Sequence, residues 1–345
     1  MLVERIARFV ADPKADSFDE LALAAFAFQF EAILPYRRMC ERRGATPGRV
    51  ADWRQVPMVP ALAFKSLALH AAPPLETFRS SGTTQGERSV HHHPFPDLYR
   101  RTIDASFPGH CLPSPPPVSM LSLVPSRAQL PDSSLAFMID HVLRRWGDAD
   151  SVVAFAPRGV EVAKARSWLG ARQRAHRPGL VLATAFALAD LLAALERQDL
   201  RFRLPAGSAV FETGGFKGRS RELSPAELTA RIADRLGVPA GRVVREYGMT
   251  ELTSQLYTRA LSGGDPERFA APAWTRVRIL DPATLAETAA GAPGLVAVFD
   301  LANLGSAAHL LTEDLGLADG DGFRLLGRAP GAELRGCSLT VEEMA

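Results

Sequence analysis

Three short stretches carry side chains suited to one kind of chemistry. Ser80-Ser81-Gly82-Thr83-Thr84-Gln85-Gly86 is a hydroxyl- and glycine-rich turn. Glu246-Tyr247-Gly248-Met249-Thr250-Glu251 sets an aromatic ring beside a carboxylate. Thr312-Glu313-Asp314-Leu315-Gly316, followed later by Gly327-Arg328, supplies an acid and an arginine. Together these are the parts that hold a nucleoside triphosphate. The hydroxyls of Ser80, Ser81, Thr83 and Thr84, with backbone N–H groups in the tight geometry that Gly82 and Gly86 permit, can surround phosphate oxygens. The Tyr247 face can stack on a purine, and the Glu251 carboxylate can hold Mg²⁺ beside the phosphates. Asp314 is an acceptor and Arg328 a fixed fork of donors, suited to ribose hydroxyls.

A second glycine-rich turn, Gly214-Gly215-Phe216-Lys217-Gly218-Arg219, follows a strand-like Ala209 to Glu212. Ligands of open α/β sheets bind at such strand ends, and Lys217 and Arg219 could meet anionic oxygens there. The first turn is not a Walker A loop, because no Gly-Lys-Ser/Thr closes it. Each stretch alone has a plainer reading: a surface turn, a solvated basic loop, a core tyrosine ahead of a helix start, a surface salt bridge. His91-His92-His93 resembles a metal cluster, but adjacent residues point to different sides, so a polar strand or loop is expected. His110 and Cys111 are adjacent and poorly placed for a catalytic dyad.

The elements that must position these residues show a regular alternation. Strands are expected at 118–124, 152–155, 180–184, 209–212 and 243–246, with helices at 133–145, 161–169, 187–197 and 225–236 between them. This predicts an α/β fold with helix-covered, mostly parallel sheets. Ser224-Pro225-Ala226-Glu227 is a helix start, with a capping serine, proline at the first position and an acid in the first turn. Helices are also expected at 18–43 and 97–107. From Trp274 onward, 277–280, 294–299 and 323–326 read as short strands between turns, a small antiparallel or barrel-like subdomain. The prolines at 113–117 mark a break. The linear division is then 1–117, with the Ser/Thr/Gly loop; 118–270, the α/β nucleotide- and acyl-binding part; and 271–345, the β-rich end.

Composition narrows the function classes. Lys plus Arg is 40 against 38 Asp plus Glu, and no basic block stands out, which disfavours a nucleic-acid partner. The three cysteines, Cys40, Cys111 and Cys337, are too scattered for a disulfide framework or a zinc site, so a cytoplasmic location is expected. The longest apolar stretch, 179–195, contains Asp190 and is too short to span a bilayer. No membrane-spanning segment and no secretion signal is expected.

The order and context of these motifs resemble the adenylate-forming superfamily of acyl-CoA synthetases, adenylation domains and firefly-type luciferases. Within it the chain is most similar to the acyl-protein synthetase (LuxE-type) branch, through Val59-Pro60-Ala61-Leu62-Ala63-Phe64-Lys65, the Ser-Ser-Gly-Thr-Thr loop and Asp132-Ser133-Ser134-Leu135. The likeness continues in 212–220, 246–251, 311–316 and Glu333-Leu334-Arg335-Gly336-Cys337-Ser338. The resemblance implies an ATP- and Mg²⁺-dependent ligase that activates a fatty or other carboxylic acid as acyl-AMP. It implies that Ser81, Thr83 and Thr84 grip the triphosphate, Gly214, Gly215 and Tyr247 with Gly248 border the adenine, Thr250 and Glu251 serve phosphate and Mg²⁺, and Asp314 and Arg328 the ribose. Gln85 departs from the pattern by delaying the expected glycine to Gly86.

Most superfamily members continue past the Gly327-Arg328 hinge into a domain with a catalytic lysine; here seventeen residues follow Arg328 (345 − 328), a shortness the acyl-protein synthetase branch shares, so no such domain is expected. Its task would fall to Lys65, Lys217 or Arg219, or go unfilled. The branch carries its acyl group on a cysteine near the C-terminus, which implies Cys337 as acceptor and an acyl reductase as partner. Arg335 would favour the Cys337 thiolate. The candidate catalytic residues are thus Cys337, Thr84, Glu251 and Lys217. Two other readings stay open: transfer to coenzyme A or a carrier protein, with Cys337 dispensable, and a non-catalytic nucleotide-binding scaffold.

Overall fold

The structure is a computed structural model that describes residues 1–81, 87–214, 223–329, 341, 343 and 344. Three helices open the chain: α1 (Leu2–Ala11), α2 (Phe18–Ala32) and α3 (Leu34–Arg42). The single helix expected over 18–43 is therefore two. Pro35 has no N–H for the carbonyl of Glu31 and its ring crowds that oxygen, so the ladder breaks at extended Ile33. Arg37 then satisfies the freed carbonyls of Phe30 (2.8 Å) and Glu31.

Strands β1 (Glu76–Arg79) and β2 (Val90–His93) precede α4 (Pro96–Cys111), which runs past the expected 97–107. The alternating region follows as β3 (Ser119–Ser122), α5 (Ser134–Trp146), α6 (Val162–Ala175), β4 (Gly179–Thr184), α7 (Ala185–Arg197), β5 (Ala209–Thr213), α8 (Pro225–Leu236) and β6 (Val243–Tyr247). The chain ends in β7 (Thr275–Leu280), β8 (Pro293–Asp300), β9 (His309–Asp319) and β10 (Gly322–Arg328).

These elements form two compact units, one of Met1–Ala105, Met249–Leu256 and Arg268–Ala345, the other of Ser106–Gly248 and Tyr257–Glu267. In the second unit, Val152–Val153, β3, β4, β5 and β6 lie side by side, all parallel, as the alternation predicts. Leu121, Val181 and Val210 face Leu169, Leu188, Leu192 and Ile232 of α6, α7 and α8 in one apolar core. The period of two turns Phe211 to the opposite face, among Phe107 and Tyr257, with Trp146 stacked on Phe107 at 5.6 Å. Gly179 permits the close approach of α6, since a Cβ there would lie 2.6 Å from the Trp168 ring.

In the first unit, β7, β8, β9 and β10 form an antiparallel sheet, and Val59–Pro60 joins β9 in parallel. The sheet is open, with β7 at its edge, so of the two forms expected of this end the antiparallel sheet is adopted and the barrel is not. Phe18, Trp53 and Phe299 meet edge to face at 5.6–5.8 Å and dock α2 onto it. Among the described residues no helix is long and apolar enough to cross a membrane.

Candidate functional site

The motif residues divide between the two units. In the first, β1 and β2 pair antiparallel, with Arg79 opposite Val90, and the Ser/Thr/Gly stretch belongs to the connection between them. Ser80 stands at the foot of that connection. Its N–H donates to the Ser89 carbonyl (3.0 Å), and its Oγ accepts from the Ser89 amide (3.0 Å). Arg88 donates to the Ser80 carbonyl, and Ser81 is exposed. Gly82, Thr83, Thr84 and Gly86 lie outside the described residues, as do Gly215, Lys217, Arg219 and Cys337.

Thr250 and Glu251 sit in a segment, 249–255, that is neither helix nor strand, and Glu251 to Gln255 are all buried. Buried irregular backbone needs side-chain partners. His91 Nδ1 donates to the Thr250 carbonyl (2.7 Å), and Asn303 Nδ2 donates to the Glu251 carbonyl (2.9 Å). Asp300 accepts from the amides of Thr253 (3.0 Å) and Ser254 (2.8 Å) and from Ser254 Oγ (2.7 Å). Thr102 Oγ1 donates to the Thr253 carbonyl (3.0 Å). Burial pushes the Asp300 carboxyl up against these donors.

The histidine run is a strand, as expected, but not a polar one. The period of two puts His91 and His93 on the buried side, with ring centres 5.0 Å apart, and leaves His92 half-buried. Burial lowers His91 to about 4 and His93 well below the ordinary imidazole range, so both rings are neutral. No group of three or more His, Cys, Asp or Glu among the described residues gathers as a metal site.

Asp314 and Arg328, far apart in sequence, are cross-strand partners on β9 and β10. Arg328 Nε lies 3.3 Å from Asp314 Oδ1, and Arg328 Nη1 lies 3.0 Å from Glu313 Oε2. Asp314 is nearly buried while Arg328 is exposed, an acceptor and a donor fork at the sheet's rim.

The second unit holds Gly214, Tyr247 and Gly248. Gly214 follows β5 in the left-handed region (φ 70°), which its missing Cβ permits. Tyr247 is buried at the end of β6. Glu246, beside Thr213 in the parallel register, accepts from its hydroxyl and lies against Gly248, where any Cβ would collide with the carboxylate. Glu212 pairs with its register partner Arg245 (3.5 Å). Burial raises both Glu212 and Glu246 to about 7. Burial also drives the Cys111 thiol far up, which removes the thiolate a His110–Cys111 dyad needs.

Sequence reasoning missed His91, His93, Asp300 and Asn303 as supports of the Thr250–Glu251 turn, and Glu212 (buried) and Glu246 (half-buried) as acids beside the glycine turns. The alternation of His91 and His93 on a short strand was the available signal. As for holding Mg²⁺, the buried Glu251 carboxylate fits a cation that arrives on substrate phosphates and keeps its waters, rather than one caged by protein.

Comparisons with known proteins extend this picture. The family described as LuxE, acyl-protein synthetase, matches residues 174–345, which include Gly214, the 246–251 motif, Asp314, Arg328 and Cys337. No curated protein matches the chain by sequence. 2-Hydroxyisobutyryl-CoA ligase in an open conformation, solved with 2-HIB-AMP and CoA, superposes with a TM-score of 0.66 at 16% identity, over 90% of this chain and 69% of that one. ATP-bound MatB from Rhodopseudomonas palustris gives 0.52 at 17% identity, over 73% of this chain and 47% of that one. O-succinylbenzoate coenzyme A synthetase from Bacillus subtilis, solved with ATP and a magnesium ion, gives 0.50 at 18%, over 73% and 49%. The shared feature is the α/β fold of the adenylate-forming ligases.

Proposed function

Through residues 174–345 the chain belongs to the LuxE family of acyl-protein synthetases, and from that premise we propose that it is an ATP-dependent, AMP-forming ligase for a fatty or other carboxylic acid. The acid's carboxylate oxygen attacks the α-phosphorus of ATP, the bond to the β-phosphate oxygen breaks, and pyrophosphate leaves. A thiolate then attacks the acyl carbon of acyl-AMP, the C–O bond to AMP breaks, and a thioester forms. We assign the thiol to Cys337, with an acyl reductase as the partner that consumes the thioester in the cytoplasm.

The family match is the observation that carries this reading. The placement of Thr250, Glu251, Asp314 and Arg328 in one unit supports it. Thr250 and Glu251 would meet phosphates and Mg²⁺, and Asp314 with Arg328 the ribose. Ser80, Ser81, Thr83 and Thr84 would donate to the phosphates, Lys217 would offset phosphoryl charge, and Tyr247 would border the adenine beside Gly214, Gly215 and Gly248. Mg²⁺ would supply charge neutralisation on the phosphoryl oxygens. A second reading, transfer to coenzyme A, draws on the ligase solved with CoA.

The test is intact mass of the protein after incubation with Mg-ATP and a panel of fatty acids, with AMP quantified in parallel. A hydroxylamine-labile, acyl-sized gain that disappears in Cys337→Ser is expected. A gain that persists in Cys337→Ser removes that residue as acceptor. AMP release that requires added coenzyme A and leaves no adduct supports the second reading.

A further inference from the structure

The buried turn 249–255 is held almost entirely by side chains from elsewhere in the first unit, and the histidine strand supplies two of its contacts. A carbonyl only accepts, so the proton of His91 is on Nδ1, pointing at Thr250 (2.7 Å). Thr253 Oγ1 gives its proton to Asn303 Oδ1 (3.0 Å), so at His93 Nε2 (3.0 Å) the same hydroxyl accepts. Asn303 passes the link on, donating to the carbonyls of Glu251 (2.9 Å) and Ala307 (2.7 Å). The chain of donors has one direction: His93 to Thr253 to Asn303 to Glu251. Both histidines lie on β2, whose partner β1 leads directly into Ser80 and Ser81.

We propose that His91 and His93 are positioning residues, clamping the β1–β2 hairpin to the Thr250–Glu251 turn so that Ser80–Ser81 and Glu251 keep a fixed spacing. Neither ring needs to touch a ligand. The role rests on the ligase reading only in assigning both segments to ATP; the clamp itself is a property of the first unit. Two neutral rings suit the task, since a charged imidazole at this depth would carry an unpaired charge. The alternative, that the histidines merely fill the core, predicts that any polar side chain of similar volume serves equally well.

The experiment compares His91→Asn with His91→Gln in the full chain. Asparagine's Nδ2 falls where the imidazole Nδ1 stood and keeps the bond to Thr250; glutamine's amide reaches the Nε2 position and loses it. With Gln, KM for ATP should rise about tenfold, the cost of one buried hydrogen bond, with KM for the acid within about twofold. Amide hydrogen exchange of peptide 249–255 should quicken as well. With Asn, both readings should stay within about threefold of wild type. Equal behaviour of the two variants, or no change in either, overturns the proposal. Should His91→Gln fail to fold, Thr253→Val cuts the His93–Asn303 link at constant volume; an unchanged ATP KM and exchange rate there is equally fatal. Exchange is read without ATP. A wild type that releases no AMP with any acid therefore defeats the ligase reading, while the exchange comparison still decides the clamp.

Discussion

Among the described residues the two units differ in the titratable groups they bury, since only the first sets neutral imidazoles beside a buried carboxyl, Asp300. The first unit's interior holds neutral imidazoles, His91, His93 and His309, each pushed down by burial, with His91 at about 4 and His309 at about 3. The second holds carboxyls, Glu212 and Glu246, raised to about 7. The architecture explains the contrast. In the second unit successive parallel strands satisfy one another's backbone, and Glu212 and Glu246 stand near the ends of β5 and β6. In the first unit an irregular segment runs through the interior, and its amides and carbonyls need donors and acceptors on short side chains. Histidine, asparagine, threonine and Asp300 meet that need over long sequence separations: His91 binds the chain 159 residues on, and Gln29 donates to the Asn303 carbonyl 274 residues on.

The largest way to break this contrast is Asp300→Ala. Its carboxylate accepts from Thr253, Ser254 twice and Ala302, and truncation leaves four buried donors without it. At about 1–3 kcal/mol for each unsatisfied group, and with partial relaxation, the loss should be about 4 kcal/mol in urea unfolding. Glu246→Gln is the matching change in the second unit. It keeps an acceptor for Thr213 and removes a charge the site disfavours, so it should cost less than about 1 kcal/mol at neutral pH. Comparable losses in the two variants would erase the distinction.

Acidity sharpens it further. Between the ordinary carboxyl value of 4.5 and about 7, the folded protein holds protons on Glu212 and Glu246 that the unfolded chain has released. Their contribution to stability is complete below 4.5 and is lost as pH rises through 7. The histidines run the other way: their contribution is complete above 6.5 and is lost as pH falls toward 4 for His91 and 3 for His309. The wild type should therefore lose about 2 kcal/mol more than Glu246→Gln between pH 5.5 and 8. Urea denaturation at the two pH values reads this directly. Parallel slopes would mean that the Glu246 carboxyl is not held proton-bound in the fold.

The same contrast decides what was legible in the sequence. Helix α8 could be placed at 225–236 because its signals are local: Ser224 Oγ accepts from the Glu227 amide (3.2 Å) while the Ser224 amide donates to Glu227 Oε2 (2.7 Å). Strands β3 to β6 followed from apolar runs between helices. Pro35 was a local signal too, and overlooking it merged α2 and α3. The support of Thr250 by His91 could not be read, because nothing in either segment's spacing specifies a contact 159 residues away. Strand β9 escaped because its residues 312–316 look like a functional turn, whereas Leu315 and Gly316 are paired on both sides and Asp314 is paired with Arg328. Within the candidate site, the residue types of Asp314 and Arg328 were apparent, but their adjacency depends on the β9–β10 register, including a bulge at Leu315–Gly316.

That register makes Arg328 the place where stability and the proposed ligand contact separate. Its side chain is 60% exposed, so its pairs with Asp314 and Glu313 are surface pairs, and Arg328→Ala should change stability by less than about 1 kcal/mol. If the fork meets the ribose, the same substitution should raise KM for ATP about fivefold or more, since a ligand-binding hydrogen bond to a charged donor exceeds a surface ion pair. Arg328→Lys divides the two contributions. Lysine keeps the charge beside Asp314 but not the planar fork, so near-wild-type stability with a KM close to that of the alanine variant would identify geometry, not charge, as what the ribose reads. An ATP KM indifferent to both substitutions would return Asp314–Arg328 to an ordinary cross-strand pair, leaving Ser80–Ser81 and the Thr250–Glu251 turn as the first unit's other proposed contacts with nucleotide.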